Sequence, residues 1–385
     1  MKVVIAPDSF KGSLSAHEVA IAIQKGIKKV DSEIETILVP MADGGEGTVQ
    51  SLIDATGGRL IELTVHDPLF RKINSFYGIM GDGVTAVIEM AAASGLALLA
   101  GGERNLLKTT TYGTGELIKD ALNRGCRHFI LGLGGSATND GGCGMAQALG
   151  VRLLDVNGNE IGMGIGGAGL SKIGSIDISD IDKRIKIANF IAACDVDNPL
   201  CGVKGASAVY GPQKGATKDD IITLDNGLAH FAQIVNQRLG LDILNIPGAG
   251  AAGGLGAGAI GFLNAGLDHG VDIVAKATNL GEKMNNASLV ITGEGYLDFQ
   301  TAYGKTPFGV AQLANQKNIP VIAIAGGLGE NYQSLYHKGF NGLFSILDKP
   351  MTLDEAIENA SALVEAAAMN IFTFWKAANR EYLKK

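Results

Sequence analysis

Clustered cysteine and histidine are what this chain of 385 residues most conspicuously lacks. Its four cysteines (Cys126, Cys143, Cys194 and Cys201) make no C-x-x-C pair, which excludes a zinc ribbon or a disulfide framework and leads us to expect reduced thiols in a cytoplasmic protein. Its six histidines (His17, His66, His128, His230, His269 and His337) form no H-E-x-x-H or other close pair, and no G-x-S-x-G elbow occurs, so zinc-hydrolase and serine-hydrolase chemistry are set aside. Proline is scarce too, at 9 residues, against a low-complexity linker protein. Charged residues reach only 18%, and 39 acidic against 32 basic side chains leave a net charge of -7. That balance argues against a nucleic acid or an anionic membrane as partner and favours small molecules. The opening Met1-Lys2-Val3-Val4-Ile5-Ala6 reaches Asp8 at once, too short an apolar stretch for a signal peptide. One uncharged run, Gly248 to Leu267, has the length of a membrane helix. It is mostly Gly and Ala, with Leu255, Ile260, Phe262, Leu263 and Leu267 as its large apolar groups, too little to favour a bilayer.

Glycine is in excess: 55 residues, about twice the usual ~7%. No G-X-Y period accompanies them, so they read as tight turns and backbone nests. Short Val/Ile-rich runs, each followed by Gly, Asp or Ser and then a helical pattern, give the rhythm of parallel strands with crossover helices. They are Val3–Ala6, Thr36–Val39, Phe129–Leu131, Leu289–Ile291, Val321–Ile324 and Phe344–Leu347, the last before a long helix over about Leu353–Ala377. Leu60–Val65, Ile73–Ile79 and Thr85–Glu89, joined by turns at Asp67-Pro68 and Gly81-Asp82-Gly83, read instead as an antiparallel meander. The expected fold is therefore α/β with two different domains. Residues 1–57, 105–140 and 283–385 would form a doubly wound, mainly parallel, Rossmann-like sheet, and residues 58–104 and 141–282 a second mixed lobe. Open α/β sheets bind ligands at the carboxyl ends of their strands, where Asp8, Asp43, Gly134 and Glu294 all fall.

Gly132-Leu133-Gly134-Gly135-Ser136-Ala137-Thr138-Asn139-Asp140-Gly141-Gly142 follows a strand and precedes a helix. Its glycines permit positive φ, so that N–H groups can cradle a phosphate while Ser136, Thr138 and Asn139 donate further bonds or cap the helix. The same stretch satisfies G-x-G-x-x-A, with Asp155 about twenty residues on, the outline of a dinucleotide fingerprint weakened by the inserted Thr138–Gly142. Gly304-Lys305-Thr306 imitates the end of a Walker A loop, but Phe299 stands where its first glycine belongs; Lys305 can still neutralise a phosphate. Carboxylates in glycine company recur at Asp43-Gly44-Gly45-Glu46-Gly47, at Asp195-Val196-Asp197-Asn198, and at Glu294-Gly295 with Asp298. Phosphoryl transfer needs such groups for Mg²⁺ and for the acceptor hydroxyl, although each can equally be turn chemistry. Asp8-Ser9-Phe10-Lys11-Gly12-Ser13 combines an acid, a base and hydroxyls, with Ser13 or Ser15 also placed to cap the first helix. Arg71 can clamp a carboxylate or stand as an exposed turn residue.

Together these segments resemble the class I glycerate kinase family, of the bacterial glycerate 2-kinase type, over essentially the whole chain. The likeness rests on Ala6–Gly12, Pro40–Thr48, Gly132–Gly142, Cys194–Leu200, Gly211-Pro212-Gln213-Lys214-Gly215-Ala216, Pro247–Gly258, and Thr292–Gly295 with Asp298. The resemblance implies the glycerate kinase I fold and ATP-dependent phosphorylation of D-glycerate, at the 2-hydroxyl. On physical grounds we assign the roles as follows. Gly134, Gly135, Ser136, Thr138, Asn139, Gly293, Glu294 and Lys305 hold the ATP, and Asp43, Asp197 and Asp298 the Mg²⁺. Ser9, Lys11 and Arg71 bind glycerate, and Asp8 or Asp195, with Lys11, serves catalysis. The expected partners are glycerate and the nucleotide, without nucleic acid or membrane, and a homodimer is compatible. A second reading, a NAD-dependent dehydrogenase of a small hydroxy acid, follows from the G-x-G-x-x-A pattern with Asp155.

Overall fold

A computed structural model describes residues 1–378. The chain separates into two compact units, Met1–Asp43 with Gln50–Thr56 and Val271–Lys385, and Gly44–Val49 with Gly57–Gly270. The expected segment 283–385 thus falls in the first unit, except that 379–385 lies outside the described residues.

The first unit holds a five-stranded, wholly parallel sheet in the order Gly342–Ser345, Val321–Leu328, Leu289–Leu297, Lys2–Ile5, Glu35–Leu38. Val3, Val4 and Ile5 are fully buried, as are Val321, Ala323 and Ile324, which explains why these runs are continuously apolar rather than alternating. On the sheet lie the helices Ala16–Val30 and Ala360–Ala378, which pack on one another. Gly26 permits their close approach: a Cβ there would lie 2.3 Å from the Glu365 carbonyl oxygen. Ser15 caps the first of them with Glu18 in a reciprocal capping box, so the choice between Ser13 and Ser15 falls on Ser15. The long final helix is interrupted at Asn359, giving Leu353–Glu358 and Ala360–Ala378.

The second unit is built on a six-stranded mixed sheet in the order Gly266–Asp268, Asn189–Ala193, His128–Gly132, Thr85–Glu89, Lys72–Ile79, Arg59–His66. The first four are parallel and the last three form the expected antiparallel meander. The strand containing Phe129 therefore belongs here and not with the chain ends, and residues 105–140 go with it. Its apolar run specifies a buried parallel strand but not a partner. Pairing is decided by Thr85–Glu89 on one side and Asn189–Ala193 on the other, and Phe129 stacks on Phe190 with ring centroids 4.4 Å apart.

The Gly/Ala run becomes the 13-residue helix Ala251–Leu263, entered through three left-handed residues, Ala252, Gly253 and Gly254. No helix among the described residues is long and apolar enough to cross a membrane. All four cysteines are free thiols, and Cys126, Cys143 and Cys194 are buried.

Candidate active site

In the first unit the chain runs outward from Lys2–Ile5 to Glu35–Leu38 on one side and from Leu289–Leu297 through Val321–Leu328 to Gly342–Ser345 on the other. The strand order therefore reverses between Lys2–Ile5 and Leu289–Leu297, and the carboxyl ends of those two strands are where an open α/β sheet binds its ligand. The backbones are locked together at that point. Ala6 N–H donates to the Ile291 carbonyl at 2.7 Å, Asp8 N–H to the Gly293 carbonyl at 2.8 Å, and Thr292 Oγ1 to the Ala6 carbonyl at 2.8 Å. On the other side of Leu289–Leu297, Gly293 permits close approach to Val321–Leu328, since a Cβ there would lie 2.0 Å from the Ile324 carbonyl oxygen.

Two carboxyls project from the switch point. Asp8 is 9% exposed; its Oδ1 accepts from Ser9 N–H at 2.6 Å and its Oδ2 from Thr306 Oγ1 at 2.7 Å. Burial, with the Asp43 charge adding to it, pushes Asp8 up to about 6 in spite of those two bonds and of Lys11. Glu294 accepts from Thr301 Oγ1 at 2.7 Å and lies 3.5 Å from Lys305 Nζ. Burial again outweighs these, with Asp8 contributing, and lifts it to about 7. Two carboxyls held near neutrality at a sheet's switch point are what proton-handling chemistry at pH 7 requires.

Of the residues expected from the sequence, Asp8, Ser9, Lys11, Asp43, Gly293, Glu294, Asp298 and Lys305 all fall in this unit. Asp298 plays a local part, since its side chain accepts from Gln300 N–H at 2.9 Å and caps the turn Phe299–Ala302. Thr301 and Thr306, which set the two carboxyls, were not anticipated. Thr306 ends the Walker-like Gly304-Lys305-Thr306 triplet, and opens the helix Thr306–Gln316. The signal was present but pointed at phosphate rather than at Asp8.

In the second unit Gly134, Gly135 and Asp195 lie beyond the carboxyl ends of two adjacent interior strands, just past the paired register Gly132 with Ala193. Gly134 and Gly135 are exposed, and Gly135 has φ 73°. The nest is shorter than expected, because the chain turns inward after them. Ser136, Thr138 and Asn139 are buried; Asn139 Nδ2 donates to Ser207 Oγ at 3.1 Å, and the Thr138 carbonyl abuts Gly253 so tightly that a Cβ there would lie 1.9 Å from its oxygen. Asp140, fully buried, accepts from Thr111 N–H at 2.7 Å, Thr111 Oγ1 at 2.8 Å, Gly142 N–H at 3.1 Å and Gly144 N–H at 3.2 Å. Burial still raises its carboxyl above the ordinary range. The inserted Thr138–Gly142 is thus packed through the polar contacts of Asp140, which glycine-rich sequence alone cannot distinguish from an open cradle.

Asp195 accepts from Gly270 N–H at 3.0 Å and lies 3.5 Å from His269 Nδ1, while Asp197 is exposed. Arg71 is not an open clamp. Its Nε donates to Asp67 Oδ2 at 2.6 Å and its Nη1 to Glu103 Oε1 at 2.7 Å, so carboxylates of the protein already engage its fork. Asp155 is a turn residue that accepts from Asn157 and Asn159 N–H at 2.8 Å each. The strand before it, Arg152–Leu154, pairs antiparallel with Ser175–Asp177 instead of parallel to His128–Gly132. A dinucleotide unit needs the second strand parallel to the first, so the dehydrogenase reading fails on topology.

A model of the glycerate kinase family matches residues 3–376. A glycerate kinase of Halalkalibacterium halodurans is 54% identical over 369 residues, covering 96% of this chain and 97% of that protein. The Escherichia coli glycerate 2-kinase is 50% identical over 371 residues, covering 96% and 97%. A crystallised candidate glycerate kinase 2 from Salmonella typhimurium LT2 is 49% identical, with a TM-score of 0.91 over 99% of each chain.

Proposed function

The chain belongs to the glycerate kinase family, and on that premise we propose that it transfers the γ-phosphoryl group of ATP to D-glycerate, giving 2-phosphoglycerate as the name of the Escherichia coli relative suggests. The observation that carries this reading is the pair Asp8 and Glu294 at the switch point, both pushed up by burial into the range where a carboxyl exchanges protons at neutral pH. Asp8 orients the acceptor hydroxyl and takes its proton as the oxygen–phosphorus bond forms. Asp195 is the other carboxylate proposed for that role. The transition state is loose, so positioning and charge neutralisation supply most of the acceleration. Lys11, exposed one turn from Asp8, takes the glycerate carboxylate, with Ser9 beside it. Gly293, Glu294 and Lys305 are the candidates for the nucleotide in the first unit, and Gly134 and Gly135 the separate candidates for a phosphate in the second.

Mg²⁺, when bound, would neutralise charge on the phosphate oxygens. Among the described residues no group of three or more His, Cys, Asp or Glu side chains is gathered to hold a metal, so the protein alone builds no cage. The donors nevertheless suit Mg²⁺, which is commonly held by one or two carboxylates together with phosphate oxygens. Asp43 stands close enough to Asp8 for its charge to raise the neighbouring carboxyl, a repulsion that a divalent cation relieves. Asp43 is therefore the foremost candidate, with Asp197 next; Asp298 is weakened by its capping bonds. Phosphorus NMR of the protein with Mg-ATP and D-glycerate tests the proposal. A 2-phosphoglycerate resonance is expected. A 3-phosphoglycerate resonance would refute the regiochemistry, and no phosphoglycerate at all would refute the activity.

A further inference from the structure

Lys214 ends the turn Pro212–Lys214 and is 4% exposed. Its Nζ donates to Ser136 Oγ at 2.6 Å and to the Thr138 carbonyl oxygen at 3.0 Å. Asp140 is the charge that favours its ammonium form, but the Asp140 oxygens are occupied by the amides and hydroxyl described above, and no ion pair joins the two among the described residues. Burial brings the ammonium down to about 7. Placing a cation here is expensive, and a methionine would fill the same space without that penalty.

The direction of the 2.6 Å bond shows what the cation does. In its ammonium form Lys214 donates and cannot accept, so Ser136 Oγ is then the acceptor and its own hydrogen is left to be given to another group, and an anion bound there would favour that form. Donation into a hydroxyl oxygen also strengthens that hydroxyl as a donor. Ser136 directly follows the exposed Gly134–Gly135 bend. Nearby, Thr138 Oγ1 is fully buried and without a partner among the described residues, a second donor in search of an acceptor. A buried amine on the Pro212–Lys214 turn, bonded to a hydroxyl of the Ser136–Thr138 stretch where a second hydroxyl is unpaired, is a set suited to an anion.

We propose that Lys214 is a positioning residue for a phosphate group of a nucleotide: it turns the Ser136 hydroxyl into a donor and keeps positive charge behind the Gly134–Gly135 bend. This rests on the nucleotide use proposed above. The other anion of the reaction, the glycerate carboxylate, has the same hydrogen-bonding appetite, and the test separates the two.

The full chain is compared as wild type, Lys214→Met and Ser136→Ala by calorimetric titration with ATP without glycerate, by steady-state kinetics, and by thermal melting. For Lys214→Met we expect the ATP Kd to rise at least tenfold, the KM for glycerate to stay within twofold, and the melting temperature to hold or rise. A lowered melting temperature with an unchanged ATP Kd would make the lysine merely structural and overturn the proposal. A raised glycerate KM with an unchanged ATP Kd would overturn it in favour of the carboxylate. Should Lys214→Met not fold, Ser136→Ala decides: a threefold or greater rise in ATP Kd supports the proposal, and an unchanged value overturns it. Wild type that binds ATP but forms no phosphoglycerate refutes the kinase reading alone, whereas wild type that binds no ATP overturns both.

Discussion

Replacing Thr306 by valine removes a single hydroxyl while conserving the buried shape, and the hydroxyl removed is the one that donates to Asp8 Oδ2 at 2.7 Å. A hydrogen bond to a charged group contributes roughly 1.5–3 kcal/mol, and each pH unit corresponds to about 1.4 kcal/mol. That bond lowers the Asp8 pKa, opposing burial and the Asp43 charge, so its loss must move Asp8 further up from about 6. The acidic limb of kcat/KM for glycerate should therefore shift upward by roughly 1–2 pH units. The assay is a coupled measurement of ADP release at saturating ATP, from about pH 5 to about pH 9, read on the essential groups of the ATP-bound enzyme before glycerate binds. Glu294, at about 7, lies close enough to blur the limb, so Thr301→Val serves as the companion. It removes the bond to Glu294 Oε1 at 2.7 Å and should shift the component near 7 while leaving the lower one in place. If the Thr306→Val profile superimposes on wild type after scaling, Asp8 does not govern the acidic limb and its assignment as proton acceptor is wrong.

Asp8→Asn should separate stability from activity. The folded pKa of about 6 lies above the ordinary 3.8, so the native state binds the proton more tightly and loses stability as pH rises through that window. The asparagine variant should consequently be more stable than wild type at pH 8, by up to about 3 kcal/mol, and no more stable at pH 3, while kcat falls at least ~100-fold. Urea titrations at the two pH values check the sign, and a less stable variant at pH 8 would contradict it. Gly253→Ala should destabilise the second unit by roughly 2–6 kcal/mol, from left-handed strain and overpacking, since φ is 69° and the new Cβ would lie 1.9 Å from the Thr138 carbonyl oxygen. A urea midpoint within error of wild type would show that the contact relaxes freely.

All five strands of the first sheet and four of the six in the second were legible, because buried parallel strands are continuous apolar runs and the meander alternates; the short Asn189–Ala193 and Gly266–Asp268 were not. Partner choice was not legible: Phe129–Leu131 looks the same whichever sheet receives it, and only the facing residues of Thr85–Glu89 and Asn189–Ala193 decide. The acidic and basic groups after Lys2–Ile5 and Leu289–Leu297 were likewise readable, since a carboxylate among glycines behind a strand is an unusual local choice. What escaped notice were the roles of Thr301 and Thr306, which tune those carboxyls, and of Lys214 at Ser136. They act through contacts spanning 7, 298 and 78 residues, and no local pattern encodes a hydrogen bond of the latter two lengths. Arg71 shows the converse limit: the turn pattern that offers an arginine to a ligand does not display the bonds to Asp67 and Glu103 that engage it.

The five-stranded sheet has a further consequence, for synthesis on the ribosome. Lys2–Ile5 lies inside that sheet, yet Leu289–Leu297, its partner on one side, follows it by some 286 residues. At ~5–20 residues/s the nascent chain carries an unmatched apolar edge for roughly 15–60 s. Glu35–Leu38 can pair with it early, but a lone pair of strands is barely stable in water. The uninterrupted Gly57–Gly270 stretch can meanwhile complete its own folding, which leaves Val3, Val4 and Ile5 as the natural grip for a chaperone on the emerging polypeptide.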